Sequence, residues 1–177
     1  TIISNFIAKN FYSYLLIFYI CIDFLEKINI IDIEKDLRGV FMIKIYKTNE
    51  SNMIERVDEV IDNCWIDLVS PTKEEIEVVS LKTGIDKDLI LKMLDEEETP
   101  RFEKEDDSTL IVIDSPYIGD DNVKYSTLPL GIITGSNKHI LTISSQKLEV
   151  LKLFKRGKIK DINTSLRSRL TIQILYE

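Results

Sequence analysis

The chain has 177 residues with 30 acidic and 23 basic side chains, a net charge of −7, so it lacks the overall positive balance that nucleic-acid binding draws on. The charge is unevenly spread: residues 42 to 107 carry 19 acidic against 9 basic groups, and 108 to 177 carry 6 against 10. Cys21 and Cys64 show neither metal-ligand nor redox spacing, which favours a reducing, cytoplasmic setting without a disulfide.

Residues 1 to 41 precede the first methionine, Met42, and contain ten Ile, five Phe, three Tyr, three Asn and three Lys. AT-rich DNA translated without selection has this content, and the codons of Arg38-Gly39 can spell a purine-rich ribosome-binding signal. Upstream translation, or a non-domain segment, is the expectation for 1 to 41. The rival reading is a membrane segment from Phe11 to Leu25. That run is interrupted by Ser13, contains Asp23, and is shorter than the roughly 20 apolar residues a bilayer requires. Neither a basic start nor a small-residue cleavage site makes it a convincing signal peptide.

From Met42 onward there are 136 residues, a normal size for one domain, able to bury roughly two thirds of its surface. Met42-Ile43-Lys44-Ile45-Tyr46-Lys47 alternates with period two, predicting a half-buried strand. After the polar turn Thr48 to Asn52, a second short strand is expected over Met53 to Val57. Trp65-Ile66-Asp67-Leu68-Val69 is a third, stopped by Pro71, with Trp65 at least half buried where the sheet meets a helix. Thr72 and Glu75 form a capping-box pattern, in which hydroxyl and carboxylate satisfy two backbone donors at a helix start. A helix over 72 to 83 follows, and Gly84 ends it.

A shorter helix from Asp86 presents Leu89, Ile90, Met93 and Leu94 as a core-facing stripe. Leu110-Ile111-Val112-Ile113 is an unbroken apolar run, the pattern of a strand covered on both faces, and is placed near the sheet centre. Leu128 to Thr134 and Ile140 to Ile143 are two further strands, with Pro129 putting the first at an edge or a bulge. Helical signal returns over Gln146 to Phe154 and again from Ser165. Strands, a helical pair, more strands and then helices make an α/β fold, a mixed β-sheet flanked by helices.

Few stretches carry chemistry. Gly131 to Lys138 lacks the spacing and the Gly-Lys-Ser/Thr ending of a phosphate loop. His139 is the sole histidine and has no cysteine or serine partner in a motif, so it reads as structural or exposed. Lys155-Arg156-Gly157-Lys158-Ile159-Lys160 is the one basic run. It suits either a solvated turn between helices or anionic lipid heads, if it lies near a membrane. Asp95, Glu96, Glu97 and Glu98, with Glu103, Glu105, Asp106 and Asp107, are the densest carboxylates. Hard divalent cations prefer such oxygen ligands, but magnesium keeps most of its water and is held by one or two carboxylates. Asp95 to Glu98 are therefore metal-site candidates against the plainer reading of a solvated face. No catalytic carboxylate pair and no cofactor fingerprint is present, and no enzyme is expected.

Trp65 to Ile76, the acidic run Asp95 to Glu98, Pro100-Arg101-Phe102-Glu103, Tyr125 to Ile133 and Arg169 to Tyr176 occur in the order and spacing of one family. Together they resemble the cytoplasmic N-terminal domain of CorA-type magnesium transporters, over Met42 to Glu177. The resemblance implies an α/β/α sandwich over 42 to 163. It also implies that 164 to 177 begins a long stalk helix leading to two transmembrane helices absent from these residues. The full-length protein is then expected to be a homopentamer in the cell membrane with this portion in the cytoplasm. It would move Mg2+ as transported or regulatory ion; related members move Co2+, Ni2+ or Zn2+. The family's pore signature, Gly-Met-Asn, does not occur here, so selectivity is carried by analogy. The alternative is a soluble cation-sensing or partner-binding module of the same fold. In better-known members an acidic pair before the Pro-Arg/Lys-x-Glu block helps bind a regulatory cation between subunits. Anchoring on Gly84-Ile85 and on Pro100 to Glu103 puts Leu91 and Lys92 at those positions. Lys92 is instead expected to pair with Asp88 and Glu96 at helical i±4 spacing.

Overall fold

The computed structural model describes residues 43–105, 108–118, 125–135 and 138–177, all within one compact unit, Met42–Glu177. The segment 1 to 41, and with it the upstream-translation and membrane-segment expectations, lies outside the described residues.

Seven strands form one sheet in the order β2-β1-β3-β7-β6-β5-β4. β1 (Ile43–Thr48) and β2 (Ile54–Val57) are an antiparallel hairpin. Its turn is held by Asn49, whose Oδ1 accepts from Ser51 N and Met53 N, both at 3.0 Å. β1 also pairs antiparallel with β3 (Trp65–Val69), and β3 runs parallel to β7 (Ile140–Ser144). β6 (Tyr125–Thr134), β5 (Ser108–Ile118) and β4 (Arg101–Glu105) continue the sheet antiparallel.

Period-two alternation sorts side chains into two cores, one on each face. Ile45, Ile66, Leu68, Leu141 and Ile143 face one way and pack on helices α1 (Lys73–Thr83) and α2 (Lys87–Lys92) through Ile76, Val79 and Ile90. Tyr46, Trp65, Leu130, Ile132 and Ile140 face the other, against α3 (Glu149–Lys155) and α4 (Arg167–Tyr176) through Leu151, Phe154, Leu170 and Ile174. The result is a three-layer α/β/α sandwich. The segment expected to begin a stalk thus contributes Leu170 and Ile174 to the second core.

Local signals worked where they were strong. Thr72 N–H donates to Glu75 Oε2 (2.8 Å), Glu75 N–H donates to Thr72 Oγ1 (3.2 Å), and Gly84 ends α1 at φ 70°. Trp65 is fully buried, 5.0 Å from the Tyr46 ring and edge-on to Phe154 at 6.3 Å.

The structure departs from the sequence reading at four points. Leu110 to Ile113 lies one strand from the edge, not near the centre. Its faces are indeed both covered, by Leu110 and Val112 in the first core and Ile111 and Ile113 against the second, but coverage does not require centrality. β4 was not foreseen, because an edge strand of alternating charge with Phe102 65% exposed carries no apolar period. α3 starts at Glu149 rather than Gln146, since Ser144 Oγ donates to Gln146 O (2.8 Å) and holds a turn there. Pro129 sits in an internal strand, yet the β7 ladder reaches β6 only from Gly131 to Thr134. At Pro129 itself, β5 is the one paired neighbour, so the missing donor is tolerated locally as at an edge.

Candidate functional site

α2 delivers the candidate cation-binding stretch. Asp86 caps it by accepting from Asp88 N (2.9 Å), and Ile90 and Met93 anchor its inner side. Leu91, 40% exposed, and Lys92 lie on its outer side. Lys92 forms no ion pair with Asp88 or Glu96 among the described residues. Glu96 turns instead to the β7–α3 loop, where its Oε1 accepts the Ser145 hydroxyl at 2.9 Å.

The other carboxylates are also engaged locally. Asp95 Oδ1 accepts from Glu97 N (3.0 Å), shaping the turn that follows α2. Glu98 pairs with Arg101 at 2.6 Å, and Arg101 Nε donates to Glu103. The Glu103 bond, with Glu98 helping against desolvation, raises the Arg101 guanidinium above its ordinary pKa. Asp95, Glu96, Glu97 and Glu98 therefore follow one another round a turn rather than converging. Among the described residues, no group of three His, Cys, Asp or Glu side chains is arranged to hold a metal ion. Asp106 and Asp107 lie outside the described residues.

His139 is buried beside Cys64, with Nδ1 3.5 Å from Sγ, at the start of the parallel strand pair. Burial lowers the imidazole pKa below 6.5, and burial likewise raises that of the Cys64 thiol. His139 is thus structural, one of the two readings its isolation allowed.

A buried polar chain crosses the second core, and sequence reasoning did not single it out. Trp65 Nε1 donates to Thr142 Oγ1 (2.8 Å), and that hydroxyl donates to Asp67 Oδ1 (2.9 Å). Lys155 Nζ reaches in from α3 to pair with Asp67 Oδ2, 6.0 Å from the Trp65 ring centroid. The Tyr46 phenol is pushed up to about 12, first by burial and then by the Asp67 carboxylate. The available signal was a lone Asp inside an otherwise apolar five-residue strand. Lys155 also corrects the basic run: its side chain is 17% exposed and faces the core, while Arg156 to Lys158 make the solvated turn with Gly157 at φ 65°.

This fold and these residues meet known proteins at one family. The family described as CorA-like Mg2+ transporter protein matches residues 61–177, more than half of the chain. The chain belongs to the CorA-like family. The cobalt/magnesium transport protein CorA of Methanocaldococcus jannaschii is 37% identical over 87 residues, covering 49% of this chain and 26% of that protein. The complete structure of the CorA magnesium transporter from the same organism aligns with TM-score 0.62 at 26% identity, over 77% of this chain and 44% of that one. The soluble domain of that CorA aligns with TM-score 0.62 at 29% identity, over 77% and 55%. The CorA-like chain thus spans about half the length of these solved relatives, and its match to the curated relative spans about a quarter of that protein. No helix among its described residues is long and apolar enough to cross a membrane.

Proposed function

We propose that this chain supplies the cytoplasmic regulatory domain of a CorA-like membrane transporter for Mg2+, working as a homopentamer. The observation that carries the reading is the family match over 61–177, joined to a fold likeness with the CorA soluble domain that covers 77% of the chain. The domain acts by binding and conformational coupling rather than by catalysis, and the pore belongs to polypeptide beyond Glu177. Leu91 and Lys92 at the family's sensor positions make cation sensing there unfavourable: leucine offers no ligand oxygen and an ammonium repels a divalent ion.

The test is to express the whole gene in a bacterium deficient in magnesium uptake, then follow Mg2+ entry into liposomes holding the purified protein, with Co2+, Ni2+ and Zn2+ as competitors. Growth at low magnesium and saturable Mg2+ uptake are expected. The gene should encode, past Glu177, two apolar stretches of about 20 residues, the first followed by Gly-Met-Asn. A stop codon soon after Glu177, or a full-length protein that moves no divalent cation, overturns the reading in favour of a soluble sensing or partner-binding module.

A further inference from the structure

β3 and β7 are the parallel pair of this sheet, and the chain leaves their carboxyl ends toward opposite faces: β3 leads to α1 in the first layer, β7 to α3 in the second. Diverging connections at adjacent parallel strands open a crevice, the position where open α/β sheets commonly bind ligands. Here the crevice holds a cavity of about 270 Å³ that adjoins a second of about 440 Å³; Val69, Lys147 and Lys152 line both. Together they reach the size of a small-molecule site. Ser70, on the rim, adopts φ 48°, a left-handed conformation that a non-glycine residue seldom takes, and its N–H donates to Ser144 O (2.8 Å) across the strand ends.

The chemistry of the first cavity is one-sided. Lys44 comes from β1, Lys147 from the β7–α3 loop, and Lys152, Lys155 and Arg156 from α3, so three separate elements aim cations at one space in a chain of net charge −7. Lys152 is offset by Glu149 and Lys155 by Asp67. Lys44, Lys147 and Arg156 form no ion pair among the described residues, which leaves three positive charges unbalanced. Tyr46 lines the same wall, and its phenol, protonated at neutral pH, can donate. The second cavity continues from the shared Lys147 and Lys152, where Glu149 offsets Lys152, to a wall of Tyr117, Ile118, Ser70, Ser145 and Gln146 that carries no charge and offers a ring and its hydroxyls apolar and hydrogen-bonding contacts.

We propose that this crevice binds a nucleoside polyphosphate, with the phosphates among Lys44, Lys147 and Arg156 and the nucleoside in the adjoining cavity. The inference rests on the crevice alone, so it stands or falls separately from transport.

The experiment titrates the purified 177-residue chain with ATP, pyrophosphate, inorganic phosphate and adenosine at fixed ionic strength. Calorimetry and the emission of Trp65, which lies under Lys155, give the readout. Saturable binding of ATP and weaker binding of pyrophosphate are expected, with none of adenosine. Lys147→Gln with Arg156→Gln, both exposed and outside the core, should weaken ATP at least tenfold. Lys158→Gln with Lys160→Gln removes the same charge outside the cavity and should change it less than twofold. Equal loss in the two double variants reduces the effect to surface charge and overturns the proposal. So does the absence of ATP binding at millimolar concentration, or binding to vesicles of anionic lipid without binding to ATP.

Discussion

Lys155 and Asp67 are joined across the second core: the ammonium enters from α3 and meets a carboxylate with no solvent exposure in the middle of β3. The remaining carboxylate oxygen accepts from Thr142, which itself accepts from Trp65, so each charge and dipole in the row depends on its neighbour. Removing one partner of such a pair costs about 3 to 5 kcal/mol, because the other charge stays buried and uncompensated. Lys155→Met is expected to lower the urea-unfolding free energy by about 3 kcal/mol, near the low end of that range, since Lys155 keeps some exposure. Adding Asp67→Asn should recover most of the loss. A single Lys155→Met change within about 1 kcal/mol of wild type, the effect of an ordinary substitution, would show that Thr142 alone satisfies the carboxylate.

Trp65 is the sole tryptophan and is fully buried between Tyr46 and Phe154. Truncating a core aromatic costs roughly 3 to 5 kcal/mol, and here the Thr142 hydroxyl also loses its donor. Trp65→Ala should fall in that range by urea melts, and Trp65→Phe should cost less by keeping most of the packing. A Trp65→Ala loss below about 1 kcal/mol would contradict the packing described.

How much of this was legible beforehand follows from the reach of each signal. Thr72 and Glu75 are three residues apart, so their capping box is written locally and forms as expected. Asp67 and Lys155 are 88 positions apart, and nothing local announces that α3 will place a lysine over β3. The same limit applies to Leu110 to Ile113, whose apolar run reports coverage of both faces but not rank in the sheet. At the candidate site, the carboxylates Asp95 to Glu98 were visible, while their partners were not. Ser145 takes Glu96 away from Lys92 because the β7–α3 loop lies beside the turn after α2, a neighbourhood set by tertiary packing.

Gly131 lies in β6 directly beneath Met93. A Cβ there would fall 2.6 Å from Met93 Cγ and 2.7 Å from its Sδ, closer than side chains tolerate, so the glycine lets α2 rest against the sheet. Gly131→Ala is expected to cost about 1 to 3 kcal/mol, as overpacking does. Combined with Met93→Ala, it should cost less than the two single changes added, by 0.5 kcal/mol or roughly more, the coupling of residues in contact. Strict additivity in a double-mutant cycle would mean that the helix shifts freely away from β6.

His139 sets a pH dependence. Burial is the main cause of its lowered pKa, with Asp62 opposing and Arg167 reinforcing the shift, so the folded protein binds its proton less readily than the unfolded chain does. Stability from this group is therefore complete above the unfolded value of 6.5 and declines as pH falls below it toward the folded value. Urea melts from neutral pH down through this window should show wild type losing stability faster than His139→Gln. Parallel curves for the two proteins would mean that the imidazole is solvated in the fold.

Leu91 and Lys92 stand on the outer side of α2 where the family resemblance puts an acidic pair, and the neighbouring carboxylates of Asp95, Glu96 and Glu98 are committed to a turn, to Ser145 and to Arg101. A cation at 100 times its dissociation constant adds about 2.7 kcal/mol to stability. In a domain of this size each kcal/mol moves the thermal midpoint by roughly 2 to 4 °C, so an occupied site would raise Tm by about 5 to 10 °C. Millimolar Mg2+ is expected to leave Tm unchanged relative to a salt control of matched ionic strength. A magnesium-specific rise of that size, abolished by Asp95→Asn with Glu96→Gln, would place a working sensor in the turn after α2. The same rise abolished by substitutions at Leu91 and Lys92 would mean that these residues, despite their chemistry, still form the site.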